Sequence, residues 1–213
     1  MSGAADMTIL YFAAAAAGFQ AAGFALIINA ILRGTASPNP VSWTIWSVVA
    51  TLAAASSWQA GATGPLAGAL MNALGCILVL AFSFGRGRSE VVRGDLVCLF
   101  VSASGLIAWV ATDDPVWGLL LFLGADACGA LPTLRSVLAD PTREHLRGWV
   151  MLTLAGVAAL LSVEAHQWMW SWEGFGFWGG AAYVALVNLV ITLAILLGRI
   201  MSGMPRLSRI RAG

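Results

Sequence analysis

Four polar side chains interrupt long apolar runs in this sequence: Gln20, Asn72, Asp126 and Asn188. Asp126 stands in GADACGALPT (124–133), inside an apolar run from Val116 to Leu134. At 1.5 Å per helical residue it lies about 13 Å from Arg135, near the centre of a ~30 Å hydrocarbon core. A charge there costs at least about 2.5 kcal/mol, so the carboxyl requires a partner, water or a proton. Its chemistry is then either solute contact or proton transfer, or else a protonated acid ties two helices together. On the same reckoning Gln20, Asn72 and Asn188 lie about 20, 21 and 16 Å from Arg33, Arg86 and Arg199. An amide in hydrocarbon also needs a partner. Four such groups at similar depth point to a common polar cavity, although each asparagine taken singly reads as an interhelical tie of about 0.6 kcal/mol. Pro132 follows Asp126 by six residues, frees the carbonyl of Cys128 and kinks its helix. It is either a hinge or a fixed kink.

The elements that position these residues follow from composition. Of 213 residues, 60% are hydrophobic and 10% charged, and the mean hydropathy is +0.86. A soluble domain carries roughly a quarter charged residues, so the chain reads as an all-α integral membrane protein. Seven stretches approach the ~20 apolar residues of a spanning helix: 8–32, 42–61, 64–84, 95–112, 115–138, 147–166 and 175–198. The first run is too long for a signal segment and lacks its positive flank.

Orientation follows from the 11 basic residues, all of them arginine. They fall in the 1–2 link (Arg33), the 3–4 link (Arg86, Arg88, Arg93), the 5–6 region (Arg135, Arg143, Arg147) and the tail (Arg199, Arg206, Arg209, Arg211). The opposite side holds Asp6, Asp113, Asp114 and Glu173 and no arginine. The positive-inside rule therefore puts the N-terminus outside and the C-terminus in the cytoplasm. Trp43, Trp46 and Trp149 then read as anchors of the cytoplasmic aromatic belt, and Trp58, Trp117, Trp168, Trp170 and Trp172 as anchors of the outer one. Trp58 or Trp178 could line a solute site.

Segments 30–57 and 133–162 resemble each other: a helix ending near an arginine, a short polar link with Asn39-Pro40 or Asp140-Pro141, then an apolar helix bearing tryptophan. Asn39 and Asp140 are expected N-caps, with the prolines at the first helical position, where a missing N–H is harmless. Ser56 or Ser57 and Ser162 close the matched helices near the outer side. The expected architecture is one membrane domain over 1–213. It divides into a first three-helix repeat (8–84), a linker helix (95–112), a second, parallel repeat (115–198) and a basic tail (199–213). Helix pairing is expected through the small-residue patterns Gly124/Cys128, Ala125/Gly129, Ala13/Ala17/Ala21 and Gly18/Ala22, between helices 1 and 5 or their neighbours. The charged link Arg143, Glu144, His145, Arg147 reads as a solvated, salt-bridged loop, or else as a cytoplasmic gate or partner site.

This three-plus-one-plus-three plan, with Leu131-Pro132-Thr133, the proline-bearing links and the paired Asn72 and Asn188, resembles the PQ-loop and SWEET-like transporter superfamily in a divergent, bacterial-type form. Pro-Thr stands in the second repeat, and the first has Ile28-Asn29 without proline. The resemblance implies that an asparagine from helix 3 and one from helix 7 hold the substrate. Carriers of nicotinamide riboside share the helix plan and the Trp and Asn content, with the reverse orientation.

The residue types exclude several chemistries. His145 and His166 fall on opposite sides, which leaves no metal centre. The absence of lysine rules out a retinal Schiff base. The three cysteines lie in apolar runs, which opposes a disulfide framework. No phosphate loop or nucleophilic triad occurs, so the chain is not expected to be an enzyme or to need a cofactor. A net charge of +1 offers no nucleic-acid footprint.

The sequence thus leads to a small-solute transporter of the bacterial cytoplasmic membrane. Its partners would be the bilayer, a neutral or weakly charged solute, and either a second copy or a membrane-complex partner. Asn72, Asn188, Asp126 and Gln20 would bind the solute, with Pro132 as hinge. A non-catalytic assembly subunit and a ligand-binding membrane sensor are the alternatives.

Overall fold

Two features of the 33–39 segment explain how the first helix turns into the second. Gly34 takes φ +69°, the left-handed conformation that favours glycine, while Gly34 N donates to Ile31 O (3.0 Å) and Thr35 N to Ala30 O (2.9 Å). This pair of bonds forms a Schellman cap on α1. Asn39 Oδ1 then accepts from Val41 N (2.9 Å), so α2 begins at Pro40 as expected.

The computed structural model describes residues 2–59, 63–84, 91–111, 115–163 and 172–203. Among them are seven helices and no strand: α1 (Ser2–Leu32), α2 (Pro40–Gln59), α3 (Thr63–Ser83), α4 (Arg93–Ala111), α5 (Pro115–Ala139), α6 (Leu146–Leu161) and α7 (Trp172–Gly203). Each expected apolar stretch overlaps one helix, although α6 ends at Leu161, short of the expected 166. Among the described residues three segments, Met7–Leu32, Leu120–Ala139 and Trp178–Ser202, are long and apolar enough to cross a membrane. Expectations about Arg86, Arg88, Asp113, Asp114, His166, Trp168, Trp170 and the tail arginines from 206 onward lie outside the described residues. The side chains of Asp6, Ser56, Ser57, Trp117, Trp172 and Glu173 do so too.

The second link departs from expectation. α6 starts at Leu146, five residues after Pro141, and its N-cap is His145, whose Nδ1 accepts from Gly148 N (3.2 Å). Asp140 instead folds the link: its Oδ1 accepts from Thr142 N (2.9 Å) and Thr142 Oγ1 (2.6 Å). Threonine two residues on makes an Asx turn available, and that local bond wins over capping.

Six helices pack as a ring in the order α1–α3–α2–α5–α7–α6 and back to α1, while α4 lies across the α2 and α5 positions outside it. α1 and α3 run in the same sense, since Gln20 meets Asn72 and Phe24 covers Gly75. α5 and α7 do likewise, with Asp126 meeting Tyr183 and Pro141 meeting Arg199. The main core draws on all six ring helices. A smaller one, Val41, Ile45, Val49, Leu106 and Ala125, fixes α4.

Close backbone approach occurs where side chains vanish. A Cβ on Gly156 would sit 2.7 Å from Ala185 Cα, and one on Gly23 3.1 Å from Gly148 O. These contacts join α6 to α7 and α1 to α6. The small-residue expectation is corrected accordingly: α1 and α5 are not neighbours, and Gly18 and Gly124 have open space around them. Ala125 and Gly129 do pack, against Gly105 and Trp46.

Candidate functional site

The tryptophans expected at the cytoplasmic interface lie inside the ring. Trp43, Trp46 and Trp149 are 1%, 8% and 2% exposed, which corrects their reading as belt anchors. Trp43 meets Trp46 edge-on (centroids 5.1 Å apart), Trp149 packs on Trp43 (6.0 Å) and on Trp46 (5.8 Å), and Phe24 adds an edge contact to Trp43 (6.3 Å). α2 and α6 are not ring neighbours, so these contacts reach across its middle. The lumen near the starts of α2 and α6 is therefore filled by an aromatic plug. Belt anchors and lumen fillers share a composition, so sequence could not separate them. Trp58, by contrast, is 72% exposed at the far end of α2.

Polar side chains lie within about one turn of this plug. Gln20 precedes Phe24 by one turn, and its Nε2 donates to Asn72 Oδ1 (2.8 Å), tying α1 to α3. Asp126 Oδ2 accepts from the Tyr183 hydroxyl (2.9 Å), tying α5 to α7, while its main-chain oxygen accepts from Trp46 Nε1 (3.3 Å). The two pairs occupy opposite interfaces of the ring. All four side chains are partly buried.

Asn188 is placed differently. Its Nδ2 donates to the main-chain oxygen of Leu152 on α6 (3.2 Å), so it faces α6 while Asn72 faces α1. The side chain opposite Asp126 in α7 is Tyr183, which sequence reasoning passed over. Depth reckoning would not have paired the two either: Tyr183 is 16 residues, about 24 Å, from Arg199, whereas Asp126 is about 13 Å from Arg135. Arg135 is a poor boundary marker, because α5 runs on to Ala139 and Arg135 turns aside to Asp95. Measured from Ala139, Asp126 is about 20 Å deep, close to Gln20 and Asn72. Pro132 is buried within the unbroken α5.

Below the plug, the two links are joined: Ser37 N donates to Arg143 O (2.8 Å). Arg199 Nη2 donates to Glu144 O (2.8 Å) and its Nε to Pro141 O (3.4 Å). Asp95, 2% exposed, gathers three donors on Oδ2: Arg135 Nη2 (2.9 Å), Asn39 Nδ2 (3.1 Å) and Val92 N (3.3 Å). The expectation of a solvated charged link is overturned at Glu144, which has no exposed surface and whose Oε2 accepts from Trp149 Nε1 (2.8 Å). Burial pushes its carboxyl up to about 7, with the Trp149 bond pulling the other way. Burial, then Arg199 and Arg147, hold His145 below its usual value, in keeping with an Nδ1 that accepts a bond. The Thr142 bonds hold Asp140 below the ordinary carboxylate range.

A groove of about 550 Å³ between α2 and α3 is lined by Thr51, Trp58, Leu74 and neighbouring apolar residues, and by none of the four polar residues. No group of three or more metal-ligating side chains occurs among the described residues. The chain matches no protein-family model, no curated protein and no solved structure.

Proposed function

We propose that the protein is a small-solute membrane carrier in which the seven helices form two parallel three-helix units, α1–α3–α2 and α5–α7–α6, joined by α4. The observation that carries this reading is the ring itself. Exchanging α1, α2 and α3 for α5, α6 and α7 reproduces its neighbour pairs, with α1 on α6 matching α5 on α2. Corresponding interfaces each hold one polar pair, Gln20–Asn72 and Asp126–Tyr183. This is the arrangement expected of a carrier built from repeats, with a site near mid-membrane where they meet. It accords with a divergent PQ-loop or SWEET-like protein of a bacterial cytoplasmic membrane, N-terminus outside.

In this reading a neutral or weakly charged solute enters from the outer side and binds above the plug. It exchanges hydrogen bonds with Gln20, Asn72, Asp126 and Tyr183, with Asn188 on the α6 side. Parting of the aromatic plug, aided by bending at Pro132, releases it inward. Uptake of candidate solutes into proteoliposomes tests this: Asp126→Asn and Asn72→Ala are expected to lower flux at least tenfold. Unchanged flux in both removes the assigned site. A stoichiometric partner retained in mild detergent, with no flux, identifies an assembly subunit instead, and solute binding without flux a sensor.

A further inference from the structure

Glu144 and Asp95 are both buried carboxyl groups at the link end of the ring, yet their surroundings differ. Asp95 receives three donors, including the cation Arg135. Glu144 receives only Trp149 Nε1, and its Oε1 has no partner among the described residues. The charged and titratable groups around it are Asp140, Arg143 and His145 on its own link, Arg147 on α6 and Arg199 on α7. Arg199 spends its guanidinium on main-chain oxygens, Arg143 leans toward Asp140 (3.8 Å), and His145 is the α6 cap. From the α1–α2 link, Ser37 meets only the main chain of Arg143, and Arg33 bonds Asn29 (3.1 Å). No cation is therefore paired with the Glu144 carboxylate among the described residues, and a buried ion without one is costly relative to the protonated acid.

Among the described residues the single donor to Glu144 belongs to the aromatic plug, so an opening of the plug would withdraw that bond and hydrate the carboxyl together. Ser42, Thr133 and Ser136 hydroxyls and Trp43 Nε1 are also buried without a partner among the described residues, in the first turn of α2 and the last two turns of α5. They offer polar contacts to water entering from the link side.

We propose that Glu144 is a proton-binding site built into the inner gate, protonated while the aromatic plug is closed and releasing its proton toward the links when the plug opens. This rests on the carrier reading for its role, while the titration stands independently of it. The sign follows from linkage. The closed-state carboxyl titrates near 7 and a hydrated one near 4.3. Closure is thus fully supported at pH values below the hydrated group's range, and that support is lost as pH rises to about 7. Opening should increase up to about tenfold per pH unit across that window and level off above it.

Cys76, buried in the same core as the plug, serves as reporter once Cys98 and Cys128 are replaced by alanine. Its maleimide labelling rate is divided, at each pH, by that of the same protein carrying Glu144→Gln, which cancels the thiol's own titration. The ratio is expected to rise by up to about 40-fold from pH 5 to 7 and then flatten; a ratio independent of pH overturns the proposal. Infrared titration keeps the test decisive if the glutamine variant folds poorly. In an Asp126→Asn background, a protonated-carboxyl band should vanish as pH rises through about 7 and shift in Glu144→Asp. A band that is absent, or unmoved by Glu144→Asp, also overturns it. Titration intact with no solute flux removes the carrier reading and leaves the proton site.

Discussion

At the scale of single residues, the Asp126–Tyr183 pair distinguishes a structural tie from a working contact. Asp126→Asn keeps an acceptor for the Tyr183 hydroxyl, whereas Asp126→Ala leaves that hydroxyl without one, at a cost of about 1–3 kcal/mol. Thermal unfolding in detergent should therefore show the alanine variant well below the asparagine variant, which stays near wild type. Equal losses in both would mean that the hydrogen bond contributes nothing to the fold. Asp95 makes a sharper case, because three donors converge on one buried oxygen. Asp95→Ala strands the Asn39 amide and is expected to cost about 2–3 kcal/mol, even after discounting the half-exposed Arg135. A melting temperature within a degree or two of wild type would refute that accounting. Asp126 and Asn72 were legible as candidates from their isolation in apolar runs. Tyr183 was not, because a tyrosine in an apolar helix draws no notice until its hydroxyl is seen to meet a carboxyl.

At the scale of elements, the two links carry the same Asx-Pro signature and fold differently. Asn39 caps α2 and also reaches Asp95, so Asn39→Ala should cost about 1–2 kcal/mol. Asp140 caps nothing and is partly exposed, so Asp140→Ala should stay within about 0.5 kcal/mol. Chemical or thermal denaturation of the two variants side by side checks the contrast, and equal effects would count against it. The helix contacts make a second prediction. Gly156 faces the α7 backbone at Ala185, which cannot swing aside as a side chain can. Gly156→Ala is therefore expected to destabilise by about 1–3 kcal/mol, while Gly124→Ala, with open space around it, should be neutral. Read from sequence, Gly124 stands in a small-residue pattern and Gly156 draws no notice. Only the identity of the facing element decides which of them is tightly packed.

At the scale of the whole molecule, the seven crossings of the proposed carrier would send the termini to opposite faces, and the described parts of the three arginine-bearing links lie together at one end of the ring. Reporter fusions at the two ends, with impermeant labelling of a cysteine placed at Thr142, should report the N-terminus outside and Thr142 inside; both ends on one face would refute the topology. Hydropathy and segment length determined that there are seven helices among the described residues and roughly where each runs, while arginine placement carries the proposed sidedness. Those are properties of successive residues and need no partner to be read. Burial across the ring was decided only by the tertiary arrangement. Trp43, Trp46 and Trp149 meet because α2 and α6 stand opposite one another, and Glu144 is buried because Arg199 and Ser37 hold its link beneath that plug. Tryptophan suits an interface and a packed lumen equally, and a glutamate between arginines looks solvated until other helices close over it. Which of those environments applies depends on elements about fifty to a hundred residues away in the chain, and no local pattern encodes that.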